Sequence, residues 1–268
     1  MGEFSPQWLS MREPFDHAAR DAGLLSRLQS HLSSTTAGPV RVVDLGCGHG
    51  SNLRYLAPRL PGPQQWRLID HDPVLLEWIS TQPAPAEAVC TTERHDLRLA
   101  LDALPLQVDV VVCSALLDLV SLRWLESLAR RCLDEQLPLL AVLSVDGRVS
   151  WQPAAADDSD VMRWFRAHQL GDRGFGPSPG VGAVDVLSGL LEAGGMRVYT
   201  AAADWKIGPE HPEMLAEMAR GIAHASTEMS PRPAAVSDWL SARLSEIKRG
   251  EAQLTVGHRD LLALPVLS

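Results

Sequence analysis

The sequence predicts an α/β fold: a doubly wound, mostly parallel seven-stranded sheet with helical cap insertions. Runs rich in β-branched residues alternate with segments of helical periodicity, which is typical of βαβ units. Two of these runs, residues 108–113 and 137–145, are almost entirely apolar, as expected of strands covered on both faces. The chain of 268 residues, 46% apolar and 21% charged, is long enough to bury a large core.

The elements follow one another along the chain in a regular order. Residues 1–33 are predicted to be helical, and the breaker cluster 33–39 separates them from the first strand. The predicted strands are residues 40–45, 66–69, 87–91, 108–113, 137–145, 196–202 and 252–264. The predicted helices between them are residues 51–60, 73–80, 122–133, 158–168, 183–193, 210–225 and 234–249. We therefore expect an N-terminal helical cap at 1–37 and an α/β domain at 38–268, with cap segments 146–182 and 205–250.

Charge and hydropathy exclude several classes of protein. The formal net charge is −9, from 24 basic and 33 acidic residues, and the basic residues are dispersed. Nucleic acid is not expected as a partner, because neutralising phosphates requires clustered basic side chains. No stretch approaches the 18 apolar residues of a membrane span, and the first residues lack a secretion-signal pattern, so we expect a cytoplasmic protein. The four cysteines lack metal-binding spacing, so no metal is expected.

A glycine-rich turn is the strongest functional signal. The sequence Asp44-Leu45-Gly46-Cys47-Gly48-His49-Gly50 directly follows a predicted strand and precedes a helix. Such a turn lets the backbone approach a ligand closely and points the N-terminus of the helix toward it. Asp70 ends the next strand, where a carboxylate can accept hydrogen bonds from both hydroxyls of a ribose. These features predict an adenosine-ligand site at the carboxyl edge of the sheet.

The spacing of the glycines bears on which adenosine ligand binds. A dinucleotide fingerprint, G-x-G-x-x-G, would place a glycine at position 51, which is Ser51 in this chain. An NAD(P)-dependent oxidoreductase remains the alternative function. Its expected Tyr-x-x-x-Lys pair does not occur at either tyrosine, Tyr55 or Tyr199.

The G-x-G-x-G arrangement behind Asp44 resembles motif I of the class I S-adenosylmethionine-dependent methyltransferases. The sequence Leu68-Ile69-Asp70-His71-Asp72-Pro73 resembles the second motif of that family, with Asp70 matching its ribose-binding acid. His95-Asp96-Leu97 resembles the loop beside the adenine, and Asp109-Val110-Val111-Val112-Cys113-Ser114-Ala115-Leu116 resembles the fourth motif, whose loop passes the reactive methyl. The resemblance covers residues 38–145.

The resemblance implies a Rossmann-like fold, S-adenosylmethionine as cofactor and methyl transfer as the reaction. It also implies that the last strand runs antiparallel between the fifth and the sixth. The implied cofactor-binding residues are Asp44, Gly46, Cys47, Gly48, Gly50, Asp70, His71, Asp96, Leu97, Cys113 and Ser114. We add Arg12, whose guanidinium can match the methionine carboxylate, although pairing with Glu13 or Asp16 is an alternative. A catalytically silent partner subunit is a second alternative function.

The cap segments decide the expected acceptor. Two insertions over the carboxyl edge would enclose a pocket, so we expect a small-molecule acceptor with an oxygen or nitrogen nucleophile, bound by a monomer or homodimer. The candidate substrate-binding residues are Trp8, Trp151, Trp164, Gln169, Phe175 and Trp205. Alternatively, the tryptophans pack the caps onto the core. The candidate base is His168 assisted by Asp172, or else Asp118.

Overall fold

The computed structural model describes residues 5–266 apart from 99–100, 102–106 and 172–173. The helices are α1 (Pro6–Ala19), α2 (Ala22–Thr35), α3 (Ser51–Leu56), α4 (Pro73–Thr81), α5 (Leu122–Asp134), α6 (Asp158–Gln169), α7 (Ala183–Ala193), α8 (Pro212–Met229) and α9 (Pro233–Lys248). The strands are β1 (Val40–Leu45), β2 (Gln64–Asp70), β3 (Ala88–Arg94), β4 (Val110–Ser114), β5 (Leu139–Gln152), β6 (Arg197–Ala202), β7 (Trp205–Ile207) and β8 (Gln253–Leu264). Within the described part of the chain, no helix combines the length and apolarity that crossing a bilayer requires.

The sheet confirms the predicted fold class. Its strand order is β3-β2-β1-β4-β5-β8-β6, and neighbouring strands from β3 to β5 are parallel. β8 runs antiparallel between β5 and β6, as the family resemblance implies. The main path of the sheet has the seven strands predicted, and a short additional strand, β7, pairs with β8 beside it. With only 3 residues, β7 is too short to show an alternating pattern in the sequence.

Two helical layers bury the two faces of the sheet. Helices α5 and α7 cover one face, and α2, α3 and α4 cover the other. Val110, Val111 and Val112 are fully buried, because successive side chains of this central strand point into opposite layers. This explains why the strand is apolar throughout instead of alternating.

The cap lies on an extension of the sheet. β5 was expected to end at residue 145 but continues to Gln152, because it keeps pairing with β8 through two register shifts. Together with β7, these extended strands form a floor for α6, α8 and α9 and enclose a separate hydrophobic core. Arg243 of α9 is buried in this region and binds the Asp158 carboxylate at the start of α6.

The N-terminal segment forms two helices instead of one. α1 ends at Ala19, and Asp21 then caps α2 by accepting a hydrogen bond from the Leu24 amide at 2.8 Å. α2 packs on the sheet through Leu24, Leu28 and Leu32, as its sequence periodicity predicts. α1 diverges from it and lies against β7 and the cap.

Asp260 of β8 joins the two N-terminal helices to the sheet. Its Oδ1 accepts a hydrogen bond from the Leu143 amide at 2.8 Å, and its Oδ2 accepts one from the Asp21 amide at 3.2 Å. Leu143 has a φ of 58° at a register shift of β5, so this amide does not pair in the regular ladder. Burial raises the pKa of Asp260 to about 6, although both amides and the Arg20 charge favour its ionised form.

Replacing Asp260 with alanine is expected to lower the free energy of unfolding by about 2–5 kcal/mol, because two amides of the interior lose their acceptor. Urea denaturation would measure the loss. The matched control is Asp238→Ala, at an exposed position of α9. A loss no larger than that of the control would show that the Asp260 carboxylate does not hold this junction.

Candidate active site

The glycine loop between β1 and α3 has the backbone that its sequence predicts. Gly46, Gly48 and Gly50 have φ values of 66°, 55° and 87°, a region that residues with a Cβ rarely adopt. A Cβ on Gly50 would lie 3.3 Å from Cγ1 of Ile79, so the loop is also too closely packed there for a larger residue. Cys47 is buried inside the loop, which fits a small side chain in a tight turn.

Asp70 connects the glycine loop to the loop after β2. Its Oδ2 accepts a hydrogen bond from the Gly48 amide at 2.9 Å, and its Oδ1 accepts one from the Asp72 amide at 3.0 Å. His71 also lies against it, with Nδ1 3.2 Å from Oδ1. Because each carboxylate oxygen has two lone pairs, Asp70 retains capacity for further donors, which the hydroxyls of a ribose could supply.

Asp44 is buried at the base of the loop. Its Oδ1 accepts a hydrogen bond from the Asn52 amide nitrogen at 2.8 Å, but its Oδ2 has no partner among the described residues. Burial raises the pKa of Asp44 to about 7, and the Asn52 hydrogen bond and the Arg20 charge only partly oppose this effect. The unpartnered oxygen fits a cofactor that brings a cationic amino group to the loop.

Arg20, which no sequence pattern singles out, lies close to Asp44. Its side chain is buried over the Tyr55 ring at 4.6 Å, and its guanidinium nitrogens make no hydrogen bond within the described structure. Burial lowers its pKa, while the carboxylates of Asp260, Asp16 and Asp44 favour its charge. Only the tertiary structure could identify this group, because the three carboxylates come from distant parts of the chain.

Helix α1 lies directly on the glycine loop. Leu9 is in contact range of Gly48, Nε2 of His49 lies 2.9 Å from Oε2 of Glu13, and His17 Nε2 lies 3.0 Å from the Ser51 hydroxyl. From the sequence, Glu13 is identifiable only as a possible partner of Arg12. Its position over the loop could not be predicted, because the orientation of α1 depends on the cap.

Arg12 is paired within α1. Its Nε and Nη2 donate to the two carboxylate oxygens of Asp16 at 3.0 and 3.1 Å, and its guanidinium lies over the Trp205 ring at 4.9 Å. Trp205 in turn donates from Nε1 to Asp16 at 3.1 Å. This is the alternative left open in the sequence, so contact between Arg12 and a cofactor carboxylate stays a prediction.

The candidate tryptophans belong to the cap core. Trp151, Trp164 and Trp205 are at most 6% exposed and pack with the helices of the cap, and Trp8 of α1 packs against the same cluster. Their burial agrees with the alternative that they attach the cap. A substrate contact for any of them stays a prediction.

The loop after β3, expected near the adenine, contacts α5, the helix that follows β4. Asp96 forms an ion pair with Arg98, which holds the pKa of this carboxyl at about 2 despite some burial. The carbonyl of buried Leu97 accepts a hydrogen bond from Trp124 Nε1 at 2.9 Å. Cys113 is fully buried at the end of β4, and Ser114 follows it as a half-buried residue. Burial raises the pKa of the Cys113 thiol, so it is no nucleophile.

The candidate residues between positions 168 and 175 lie in two locations. Phe175 stacks edge-on against Trp124 at 6.3 Å, and the Ser178 hydroxyl donates to the Asp118 carbonyl at 2.7 Å, so this part lies on the loop after β4. His168 is in the last turn of α6, with Nε2 3.3 Å from Oε2 of Glu228. Its neighbour Gln169 is half-buried, and the predicted partner Asp172 lies outside the described residues.

Comparisons with known proteins agree with this geometry. Residues 42–135, which include the glycine loop, Asp70 and β4, match the family model of a methyltransferase domain. No curated protein sequence matches the chain significantly.

Two similar solved structures show the same fold across nearly the whole chain. The cyclopropane synthase MmaA2 from Mycobacterium tuberculosis has 10% identity and a TM-score of 0.50, covering 97% of this chain and 94% of its own. The YcgJ protein from Bacillus subtilis has 12% identity and a TM-score of 0.50, covering 92% of this chain and 100% of its own. Residues 42–135 therefore form a methyltransferase domain, and the strand order and the glycine loop agree with the class I S-adenosylmethionine-dependent type.

Proposed function

We propose that the protein methylates an oxygen or nitrogen atom of a small molecule bound between the glycine loop and the cap. The observation that carries this proposal is the position of the cap. β5 and β8 extend the sheet beyond its carboxyl edge, and α6, α8 and α9 cover this extension. A small acceptor suits a site covered in this way, whereas a polymer needs an open groove.

The cofactor-binding residues are assigned as the sequence suggested. Gly46, Cys47, Gly48 and Gly50 would supply a backbone cradle for the methionine end, and Asp44 would face its ammonium group. Asp70 would accept the ribose hydroxyls, with His71, Asp96, Leu97, Cys113 and Ser114 lining the adenosine. Arg12 could reach the methionine carboxylate only by sharing or leaving Asp16, its partner at 3.0 Å.

Methyl transfer requires few contributions from the side chains of the protein. When bound, S-adenosylmethionine supplies an electrophilic methyl carbon on a sulfonium. The chain's residues must hold the acceptor atom in line about 3 Å from that carbon and take up its proton. The proposed base is His168, whose imidazole has a nitrogen that can accept a proton, and Asp118 on the loop after β4 is the alternative. The contact of His168 with Glu228 supplies a carboxylate that could orient the ring in place of Asp172.

Changes at Asp70 and Gly48 test the cofactor site. Asp70→Ala removes the acceptor of the Gly48 amide as well as the ribose contact, and Gly48→Val places a branched side chain at a φ of 55°. Each change should weaken binding of S-adenosylhomocysteine at least about tenfold, measured by calorimetry. Asp134→Ala, at an exposed position of α5, is the control. Unchanged affinity in both variants would contradict the assignment.

The pKa of Asp44 predicts that cofactor binding releases a proton. The free protein holds this carboxyl protonated below about pH 7, whereas a nearby ammonium favours the ionised form. Affinity for S-adenosylhomocysteine should therefore rise with pH, up to about tenfold per unit below pH 7, and level off above it. Calorimetry at pH 6.5 in buffers of different ionisation enthalpy would detect the proton. Asp44→Asn should abolish both the proton release and this slope; a slope that persists would contradict the role of Asp44.

Transfer of a labelled methyl group tests the acceptor class. The protein would be incubated with methyl-labelled S-adenosylmethionine and with cell extract separated into low-mass, protein and nucleic-acid fractions. We expect the label in the low-mass fraction. Label recovered in protein or nucleic acid would overturn the proposal.

With the labelled product as readout, His168→Ala should lower turnover roughly a hundredfold while leaving S-adenosylhomocysteine affinity unchanged. Asp172→Asn should have the same effect if it assists His168. Exposed His224→Ala serves as the control, because His224 also lies near Glu228. Full turnover in both His168→Ala and Asp172→Asn would leave Asp118 as the base.

A further inference from the structure

One stripe of α1 contacts the glycine loop at successive helical turns. Leu9, Glu13 and His17 are spaced four residues apart and therefore lie on the same side of the helix. Leu9 lies beside Gly48, where a Cβ would be 3.5 Å from its Cδ1, and Glu13 and His17 contact His49 and Ser51, respectively. The loop that faces the cofactor is thus covered from outside by a helix that comes from a separate part of the chain.

Glu13 makes the strongest of these contacts. Its Oε1 accepts a hydrogen bond from Arg54 Nε at 2.7 Å, and its Oε2 lies 2.5 Å from Arg54 Nη2 and 2.9 Å from His49 Nε2. Burial opposes the charge of Glu13, but the hydrogen bonds from Arg54 and His49 outweigh it and lower the pKa to about 2. Glu13 is therefore ionised at every pH at which the protein would work.

The imidazole of His49 is enclosed on its other side as well. It lies 5.0 Å from the Trp78 ring, centroid to centroid, and its backbone carbonyl accepts a hydrogen bond from Arg54 Nη1 at 2.8 Å. His49 stands between Gly48 and Gly50, both of which have positive φ. Fixing its ring and its carbonyl therefore restrains the part of the loop between these two glycines.

The opposite side of α1 is anchored in the cap. Trp8, Met11 and Phe15 pack against the cap core. Asp16, one turn beyond Glu13, accepts a hydrogen bond from Trp205 of β7. Glu13 thus projects from a helix that is itself immobilised, which makes it an effective support for the loop.

We propose that Glu13 is a positioning residue for S-adenosylmethionine: through the imidazole of His49, it holds the glycine loop in the conformation that receives the cofactor. Glu13 need not touch the cofactor. Without the Glu13–His49 contact, the loop must be ordered when the cofactor binds, and the entropy lost on ordering reduces the affinity.

The test is a double-mutant cycle with S-adenosylhomocysteine as the probe and calorimetry as the readout. Glu13→Gln keeps the size of the side chain but removes its charge, and it should weaken binding about tenfold. His49→Ala should weaken binding to a similar extent. Because both changes remove the same contact, the double variant should bind no more weakly than His49→Ala alone. The matched control is Glu77→Gln, an exposed carboxylate next to Trp78, which should leave affinity unchanged.

Each outcome of the cycle bears on the proposal. Additive losses in the double variant would mean that Glu13 acts through Arg54 or through general helix packing. Unchanged affinity of Glu13→Gln would exclude any positioning role. Either result would overturn the proposal. Thermal unfolding of every variant separates a loss of affinity from a loss of folding. If Glu13→Gln does not fold, His49→Gln tests the same contact from the loop side, with wild-type affinity as the contradicting result. Failure of the wild-type protein to bind S-adenosylhomocysteine would instead contradict its cofactor assignment.

Discussion

The pairing of β8 with three other strands is the interaction on which the rest of the structure depends. β8 is antiparallel to β5 and β6 in the main sheet, and its first residues continue beyond the sheet edge to pair with β5 and β7. This continuation provides the floor of the cap. Because β8 lies between β5 and β6 and also pairs with β7, its pairing positions the cap and the N-terminal helix α2 relative to the sheet.

Buried charges concentrate where the N-terminal helices meet this sheet. Asp16, Arg20, Asp44 and Asp260 are all at most 8% exposed, and they come from four different elements or junctions. Burying each charge costs free energy that must be offset by hydrogen bonds or by opposite charge. The raised pKa values of Asp44 and Asp260 indicate that the offset is incomplete in the free protein. Incompletely satisfied charge beside a glycine loop is typical of a ligand site.

α1 connects this charged region to both parts of the protein. Glu13 faces the glycine loop, while Asp16, one turn further along the helix, faces Trp205 of the cap. A displacement of α1 would change both contacts together, because a helix transmits motion as a rigid element. The cofactor loop and the cap are therefore mechanically connected through a segment that lies outside the matched methyltransferase domain.

The sequence by itself determined the order of helices and strands, the glycine loop and the position of Asp70. These features are local: continuous apolar runs such as Val110–Ser114 predict buried strands, and three glycines at fixed spacing predict a loop with positive φ. Only the tertiary structure decided the extension of β5 to Gln152, the strand β7, the pairing of Arg12 with Asp16 and the contact of Glu13 with His49. Each of these depends on a partner far away in the sequence or on a choice among several nearby partners. Side-chain periodicity does not indicate which of the possible partners lies within reach once the chain has packed.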